Sequence, residues 1–253
     1  MARYEDLVGK VALVTGGSRG LGAATCRALA VNAAKVAVNG RDPAAVDGIV
    51  RELRNQGAQA TAAVADCRDA RALVRMREHV EAELGAVDVL VAFAGGGRQP
   101  QSVLDVDEDE WRADLDGNLT ATFLTVKTFL PGMIERRHGA IVTMGSAAAR
   151  LPGGAPIAYA AAKAGIVNFS QQVAHEVGRH GVRVNCLTPS TVMNERMRAA
   201  IPAEQQQKLS AMYPLGRLGE PADVAEAALF LASDASSWIT GVTLDIAGGH
   251  VMR

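Results

Sequence analysis

The stretch "KVALVTGGSRGLGAATCRALA", residues 10–30, decides the fold because it leads from a buried strand through a glycine-rich turn into a helix. Its first part is apolar without alternation, which is typical of a parallel strand that is covered on both faces. Gly16, Gly20 and Gly22 then allow a tight turn, and small residues continue as a helical segment. A strand, a turn and a helix in this order predict an α/β unit.

The rest of the chain repeats this alternation of short apolar runs and longer helical segments. We predict strands at residues 10–16, 35–40, 60–66, 87–95, 139–146 and 182–189. The clearest helix follows the second strand, where Asp42 suits the N-cap, Pro43 the first turn and Gly57 the end. The pattern predicts an α/β protein with a doubly wound parallel sheet, in one domain that spans residues 1–253.

Residues 190–217 depart from this rhythm, because they follow a strand but are typical of short helices and loops. An insertion after the carboxyl end of a strand is where such sheets place a substrate lid. We expect this lid to offer an apolar, adaptable pocket formed by Met193, Met197, Ile201 and Met212.

Composition and charge exclude several classes of protein. The 253 residues are 49% hydrophobic and carry a formal net charge of −1, so no nucleic-acid-binding surface is indicated. No apolar run is long enough to span a membrane and no signal peptide is evident, so we expect a cytoplasmic protein. Cys26, Cys67 and Cys186 are expected to be free thiols. The five histidines show no metal-binding spacing, so we expect no metal.

The turn "TGGSRGLG", from Thr15 to Gly22, indicates a dinucleotide site. Its glycines let a pyrophosphate approach the backbone, and the following helix directs its N-terminal amides and dipole towards the phosphates. The turn lacks the G-K-[ST] ending of a nucleoside-triphosphate loop, which disfavours an ATPase.

Tyr159 and Lys163, in "YAAAKAG" at 159–165, lie four residues apart and so share one face of a helix. An ammonium close to a phenol favours the phenolate and lowers its pKa, which suits a tyrosine that exchanges a proton with a reacting oxygen. A methyltransferase with a similar glycine turn would have no use for this pair.

Four motifs occur in an order that resembles the short-chain dehydrogenase/reductase family over nearly the whole chain. They are "TGGSRGLG", "YAAAK", Ser146 thirteen residues before Tyr159, and Asn118 in "GNLTATF". The resemblance implies a Rossmann-type sheet of about seven strands with helices on both faces. It also implies a nicotinamide cofactor that carries a hydride between a ketone and a secondary alcohol. The subgroup that the chain resembles is 3-oxoacyl-[acyl-carrier-protein] reductase-like.

The same resemblance implies a role for each catalytic residue. Tyr159 would be the acid/base, and Lys163 would assist it and hold the nicotinamide ribose. Ser146 would hydrogen-bond the substrate oxygen, and Asn118 would hold a water that connects Lys163 to solvent. A rival interpretation, a cofactor-sensing regulator without catalysis, would be expected to lack the tyrosine or the lysine.

The resemblance also implies a set of cofactor contacts, in which Asp66 and the Cys67 backbone would meet adenine. The set comprises Gly16, Gly17, Ser18, Arg19, Leu21, Gly22, Arg41, Asp66, Cys67, Ala94, Gly95, Tyr159, Lys163, Pro189 and Val192. Two departures from the family pattern lie nearby, since Ala92 and Phe93 replace two asparagines and Ser190 replaces a glycine.

The end of the second strand predicts NADP(H) in preference to NAD(H). Gly40 stands where NAD-preferring members carry an aspartate, and Arg41 follows it. Arg19, in the glycine turn, is a second cation that could bind a 2′-phosphate. Asp42 is acidic, but its place before Pro43 suits a helix cap that points elsewhere.

Substrate and partners are less constrained by the residues. Of the two basic positions that dock the acyl carrier protein in the similar reductases, Arg137 matches one and His180 replaces the other. A 3-oxoacyl thioester, a sugar alcohol, a steroid and a secondary-metabolite ketone all remain open as small-molecule substrates. The apolar faces of the helix at 159–177, together with the resemblance, predict a homo-oligomer and most simply a homotetramer.

Overall fold

The computed structural model describes residues 2–194, 197–198 and 201–252, and its strands form one seven-stranded parallel sheet. The strands are β1 (Val11–Thr15), β2 (Lys35–Gly40), β3 (Ala60–Val64), β4 (Val89–Ala92), β5 (Gly139–Met144), β6 (Val182–Pro189) and β7 (Thr243–Ile246). Their order across the sheet is β3-β2-β1-β4-β5-β6-β7. This order runs outward from β1 and β4 in both directions, so the predicted doubly wound sheet is confirmed.

Helices cover both faces of the sheet. The longer ones are α1 (Gly20–Val31), α2 (Pro43–Asn55), α3 (Ala70–Leu84), α4 (Glu108–Leu115), α5 (Ala121–Arg136), α6 (Ile157–Val177), α7 (Ala203–Ser210) and α8 (Pro221–Ala232). One apolar core joins α1, α2 and α8 to the sheet, and a second core joins α3, α5 and α6 to the opposite face. Alternate residues of a strand therefore enter different cores, as Ala12 and Leu13 of β1 do.

The predicted strands all occur, but most are shorter than their apolar runs. The segment 87–95 forms a strand only over Val89–Ala92, because the chain then turns and Gly95 takes a positive φ of 145°. The helix α2 has the expected ends, since the Asp42 side chain accepts from the Ala44 and Ala45 amides and Gly57 has a φ of +86°. The sequence did not locate β7, which forms the edge of the sheet beside β6.

The lid segment contains the expected short helix, and its apolar pocket stays a prediction. Met193 is buried in a small cluster of its own with Tyr213 and Leu218, and Met197 packs against that cluster. These methionines therefore help to hold the lid together. Met212 is exposed. Within the described part of the chain, no helix is long and apolar enough to cross a membrane.

The glycine turn is packed so closely that its glycines are a steric requirement. A Cβ at Gly22 would overlap the carbonyl group of Gly16, and a Cβ at Gly17 would lie 2.8 Å from the Val14 carbonyl oxygen. The missing side chains let α1 begin directly against the end of β1.

We predict that Gly22→Ala lowers the free energy of unfolding by about 2 kcal/mol, because the added methyl group has to displace backbone. Gly48→Ala is the matched control, because nothing lies within 4 Å of a Cβ at this helical position. The control should instead stabilise the protein by about 0.5–1 kcal/mol. Urea unfolding of both variants measures the difference, and equal effects would contradict the packing argument.

Candidate active site

The candidate site lies at the carboxyl edge of the sheet, where the loops after β1, β2, β3 and β4 surround a cleft of about 650 Å³. Parallel strands all end at this edge, which is why residues far apart in the sequence meet there. Eight of the predicted cofactor residues line the cleft, namely Gly16, Ser18, Arg19, Arg41, Asp66, Cys67, Ala94 and Gly95. Gly17 and Gly22 shape the turn beneath it. Pro189 and Val192 lie at and just beyond the end of β6.

Ser146 and Tyr159 are brought together as the sequence predicts. Ser146 follows β5 and caps a short turn, where its Oγ accepts from the Ala148 amide at 3.2 Å. The Ser146 side chain also hydrogen-bonds Tyr159, which lies in the first turn of α6. Burial raises the pKa of the Tyr159 phenol, and the hydrogen bond from Ser146 opposes this rise.

Lys163 lies one helical turn after Tyr159 and is 3% exposed. Its Nζ donates to the Met144 carbonyl oxygen at 2.8 Å and lies 5.5 Å from the centroid of the Tyr159 ring. Burial lowers the pKa of Lys163 to about 8. Burial therefore outweighs the neighbouring charges in setting the pKa of Tyr159, and the contribution of this ammonium to lowering it stays a prediction.

Asn118 is buried in a π-helical turn, Asp116–Thr120, which joins α4 to α5. π-Helical turns are rare in proteins, and those that do occur frequently lie at functional sites. Its side chain binds both backbone groups of Gly96 in the loop after β4. Oδ1 accepts from the Gly96 amide at 3.1 Å, and Nδ2 donates to the Gly96 carbonyl oxygen at 3.0 Å. A Cβ at Gly95 would lie 2.5 Å from the same Oδ1. The asparagine thus fixes the loop that closes the cleft beside Lys163, and its part in proton supply stays a prediction.

Arg19 and Asp42 correct the predicted electrostatics of the cleft. One oxygen of Asp42 caps α2 as expected, but the other accepts from Arg19 Nη2 at 2.8 Å. Asp42 therefore lines the cleft instead of pointing elsewhere, and Arg19 is paired. Among the described residues, Arg41 is the cleft arginine that has no carboxylate within ion-pairing distance. Its position at the end of β2 is the one that the sequence predicts.

Sequence reasoning missed three polar residues that shape the cleft. Arg68 pairs with Asp66, and Arg98 pairs with Asp114 on α4 at 3.3 Å. Asn39 is buried at the end of β2, where its Nδ2 donates to the Ala63 carbonyl at 2.7 Å and its Oδ1 accepts from the Cys67 thiol. Its position in an otherwise apolar strand was a signal that could have found it. Among the described residues, no group of three or more His, Cys, Asp or Glu could hold a metal ion.

Comparisons with known proteins agree with this geometry. The family model described as "Enoyl-(Acyl carrier protein) reductase" matches residues 16–250. The 3-oxoacyl-[acyl-carrier-protein] reductase FabG of Escherichia coli (strain K12) is 36% identical over 244 residues, which cover 96% of this chain and 98% of that protein. The chain belongs to the short-chain dehydrogenase/reductase family.

Two further members of the family resemble the chain. D-threitol dehydrogenase of Mycolicibacterium smegmatis is 36% identical over 248 residues, covering 98% of this chain and 95% of that protein. A 3-oxoacyl-[acyl-carrier protein] reductase from Brucella melitensis, solved with bound NAD, matches with a TM-score of 0.89 and 32% identity over 98% of this chain and 95% of that one. The chain is thus an oxidoreductase of a family that uses a nicotinamide cofactor, and its relatives act on alcohol or keto groups.

We predict that the buried lysine of this family member makes stability depend on pH. Between about pH 8 and its ordinary pKa of 10.5, Lys163 is neutral when folded and still protonated when unfolded. Because the unfolded state then binds more protons, stability rises with pH across this window. Relative to Lys163→Met, the unmutated protein should gain up to about 3 kcal/mol in its free energy of unfolding. Urea unfolding of both proteins across this range tests this, and a constant difference would contradict it.

Proposed function

We propose that the chain is an NADP(H)-dependent oxidoreductase that interconverts a ketone and a secondary alcohol, with 3-oxoacyl thioesters as its substrate class. The observation that carries the proposal is the grouping of Ser146, Tyr159 and Lys163 at the carboxyl edge of the sheet. A serine hydroxyl hydrogen-bonded to a buried phenol offers two donors to one carbonyl oxygen, which is what the reduction of a ketone needs. The complete group also disfavours a regulator without catalysis.

In this proposal the protein binds and polarises the carbonyl, and the bound cofactor supplies or accepts the hydride. Tyr159 gives its proton to the oxygen as negative charge develops there, and Ser146 holds that oxygen in place. Lys163, whose pKa is about 8, supplies a proton at neutral pH. Its Nζ would lie 3.5 Å from a Cβ on Gly95, which lines the cleft, so Lys163 is placed to hold the nicotinamide ribose. Asn118 fixes the loop after β4 at the cleft through its two bonds to Gly96.

The residues at the end of β2 support NADP(H) as the cofactor. A Cβ at Gly40 would lie 2.8 Å from Ser18 Oγ and 2.9 Å from the Val46 side chain, so the aspartate that binds a ribose 2′-hydroxyl would require these side chains to shift. Arg41 lies next to this position, exposed at the rim of the cleft. Its guanidinium suits a 2′-phosphate, for which charge-assisted bonds are strong.

The name of the relative from Escherichia coli supports a 3-oxoacyl thioester substrate. The two candidate carrier-docking residues, however, lie at the other edge of the sheet, since Arg137 precedes β5 and His180 precedes β6. Ser146 follows β5, so the length of this strand, roughly 25 Å with its flanking residues, separates Arg137 from it. We therefore favour a small thioester over a carrier-bound one. A sugar alcohol is the second candidate, because the D-threitol dehydrogenase is equally similar to this chain.

We also propose a homotetramer, which two exposed apolar surfaces support. Phe123 on α5 is 40% exposed and stands edge-on to Phe169 of α6, with ring centroids 6.2 Å apart. Ile157 at the start of α6 is also 40% exposed, and exposed alanines follow it along the helix. A second copy that packs on α5 and α6 would cover these side chains.

We predict that Tyr159→Phe lowers the turnover of acetoacetyl-CoA with NADPH by at least about 100-fold, because it removes the proton donor. Cofactor affinity should stay near normal. Tyr4→Phe makes the same chemical change far from the cleft and serves as the control. Absorbance of the reduced nicotinamide measures turnover, and a Tyr159→Phe enzyme that keeps most of its activity would refute the assignment.

We predict that the unmutated protein prefers NADPH to NADH by at least about tenfold in kcat/KM, which corresponds to about 1.4 kcal/mol. Arg41→Ala should raise the KM for NADPH and leave that for NADH almost unchanged, because only NADPH carries the 2′-phosphate. Arg51→Ala, on the exposed side of α2, is the control. Equal efficiency with both cofactors in the unmutated protein would show that Arg41 does not select between them.

A further inference from the structure

The turn that follows β5 carries Ser146 and connects it rigidly to Arg150. The Ala149 amide donates to the Ser146 carbonyl oxygen at 3.0 Å, and the Arg150 amide donates to the Ala147 carbonyl oxygen at 2.9 Å. These two bonds close a short 3-10 helix over Ala147–Ala149. The position of Ser146 therefore depends on where the far end of the turn, at Arg150, is held.

Asp245, on β7, holds both ends of this turn with one carboxylate. Its Oδ2 accepts from Arg150 Nη1 at 2.8 Å, and the two side chains are only 17% and 18% exposed. Its Oδ1 accepts from Thr188 Oγ1 on β6. The Thr188 methyl group lies against Gly145, where a Cβ would be only 2.7 Å from it. Asp245 thus fixes the residue that supports Gly145, just before Ser146, and the arginine that ends the turn after it.

The hydroxyl of Ser146 has little freedom to move if it is to perform its role. It hydrogen-bonds Tyr159, and under the proposed function it holds the reacting oxygen as well. A displacement of about 1 Å at such a group can lower a rate by about 100-fold. Charge-assisted hydrogen bonds are shorter and stronger than neutral ones, so a carboxylate bonded on both oxygens can hold two elements at fixed distances.

We propose that Asp245 is a positioning residue for Ser146 and acts on it through Arg150 and Thr188. The inference rests on the proposed function, because that function assigns Ser146 to the reacting oxygen. In this arrangement the edge strand β7 supports the catalytic serine from outside the cleft. An ion pair that contributed only to stability would not act on turnover through Ser146.

Reduction of acetoacetyl-CoA and of ethyl acetoacetate by NADPH tests the proposal in Asp245→Asn, Ser146→Ala and the double variant. Asp245→Asn should lower kcat about tenfold and change the KM for NADPH by less than about twofold. Ser146→Ala should lower kcat about 100-fold. In the Ser146→Ala background, Asp245→Asn should lower kcat by less than about twofold, because the hydroxyl that it positions is already absent. Asp47→Asn makes the same chemical change on the exposed surface of α2 and should leave kcat unchanged.

Arg150→Met breaks the same ion pair from its other side. It removes a positive charge, whereas Asp245→Asn removes a negative one, so a direct field at the reacting oxygen would change kcat in opposite directions. Loss of position should lower kcat in both variants. Arg150→Lys keeps a cation and should recover most of the kcat that Arg150→Met loses. Thermal unfolding checks that each variant is folded, and Arg150→Met takes the place of Asp245→Asn in the double variant if the latter does not fold.

Four outcomes would overturn the role of Asp245 alone. They are an unchanged kcat in Asp245→Asn, equal fractional losses in the two backgrounds, opposite changes of kcat in Asp245→Asn and Arg150→Met, and a loss confined to the KM for NADPH. The last would indicate that Asp245 acts through Thr188 on cofactor binding. A lack of turnover of both ketones by the unmutated protein would overturn the proposed function together with this inference, so the two failures can be told apart.

Discussion

The close contact between Gly22 and the carbonyl group of Gly16 is the constraint on which the site depends. It lets α1 begin within a few residues of the end of β1, and it leaves the turn close under the cleft. The loop after β4 meets the same turn, because the Ala94 amide donates to Thr15 Oγ1 at 3.1 Å. Larger side chains at the glycines would push these two loops apart, so that the loops would no longer form the base of the cleft.

The sequence predicts the strands well where burial on both faces makes them continuously apolar, as in β1 and β5. It fails at β7, because Thr243–Ile246 is an edge strand of only partly buried residues and "TLDI" has no distinctive pattern. It does not give the packing within the lid, because Met193 and Met197 carry the same apolar signal whether they line a pocket or pack against Tyr213. Apolar character predicts burial, and only the fold determines the neighbours that bury a residue.

Within the site, the spacing of Tyr159 and Lys163 predicts their proximity because both lie on one helix. The partners of charged residues are not predictable in this way. Arg19 and Asp42 are 23 residues apart and meet only because the turns after β1 and β2 share an edge of the sheet. The pairing of Arg68 with Asp66 is local, yet a resemblance to a family assigns Asp66 to a ligand and gives no account of an arginine that takes both of its oxygens.

Burial governs the chemistry that these residues can perform. Burial lowers the pKa of Lys163 to about 8, so the side chain still carries most of its charge at neutral pH and loses it only under mildly alkaline conditions. Burial also raises the pKa of Tyr159, which keeps the phenol protonated. A protonated tyrosine is the form that donates to a developing alkoxide, whereas alcohol oxidation begins with the phenolate. Under the proposed function, burial therefore holds Tyr159 in the form that carbonyl reduction requires, and the hydrogen bond from Ser146 works against this by lowering the pKa of the phenol.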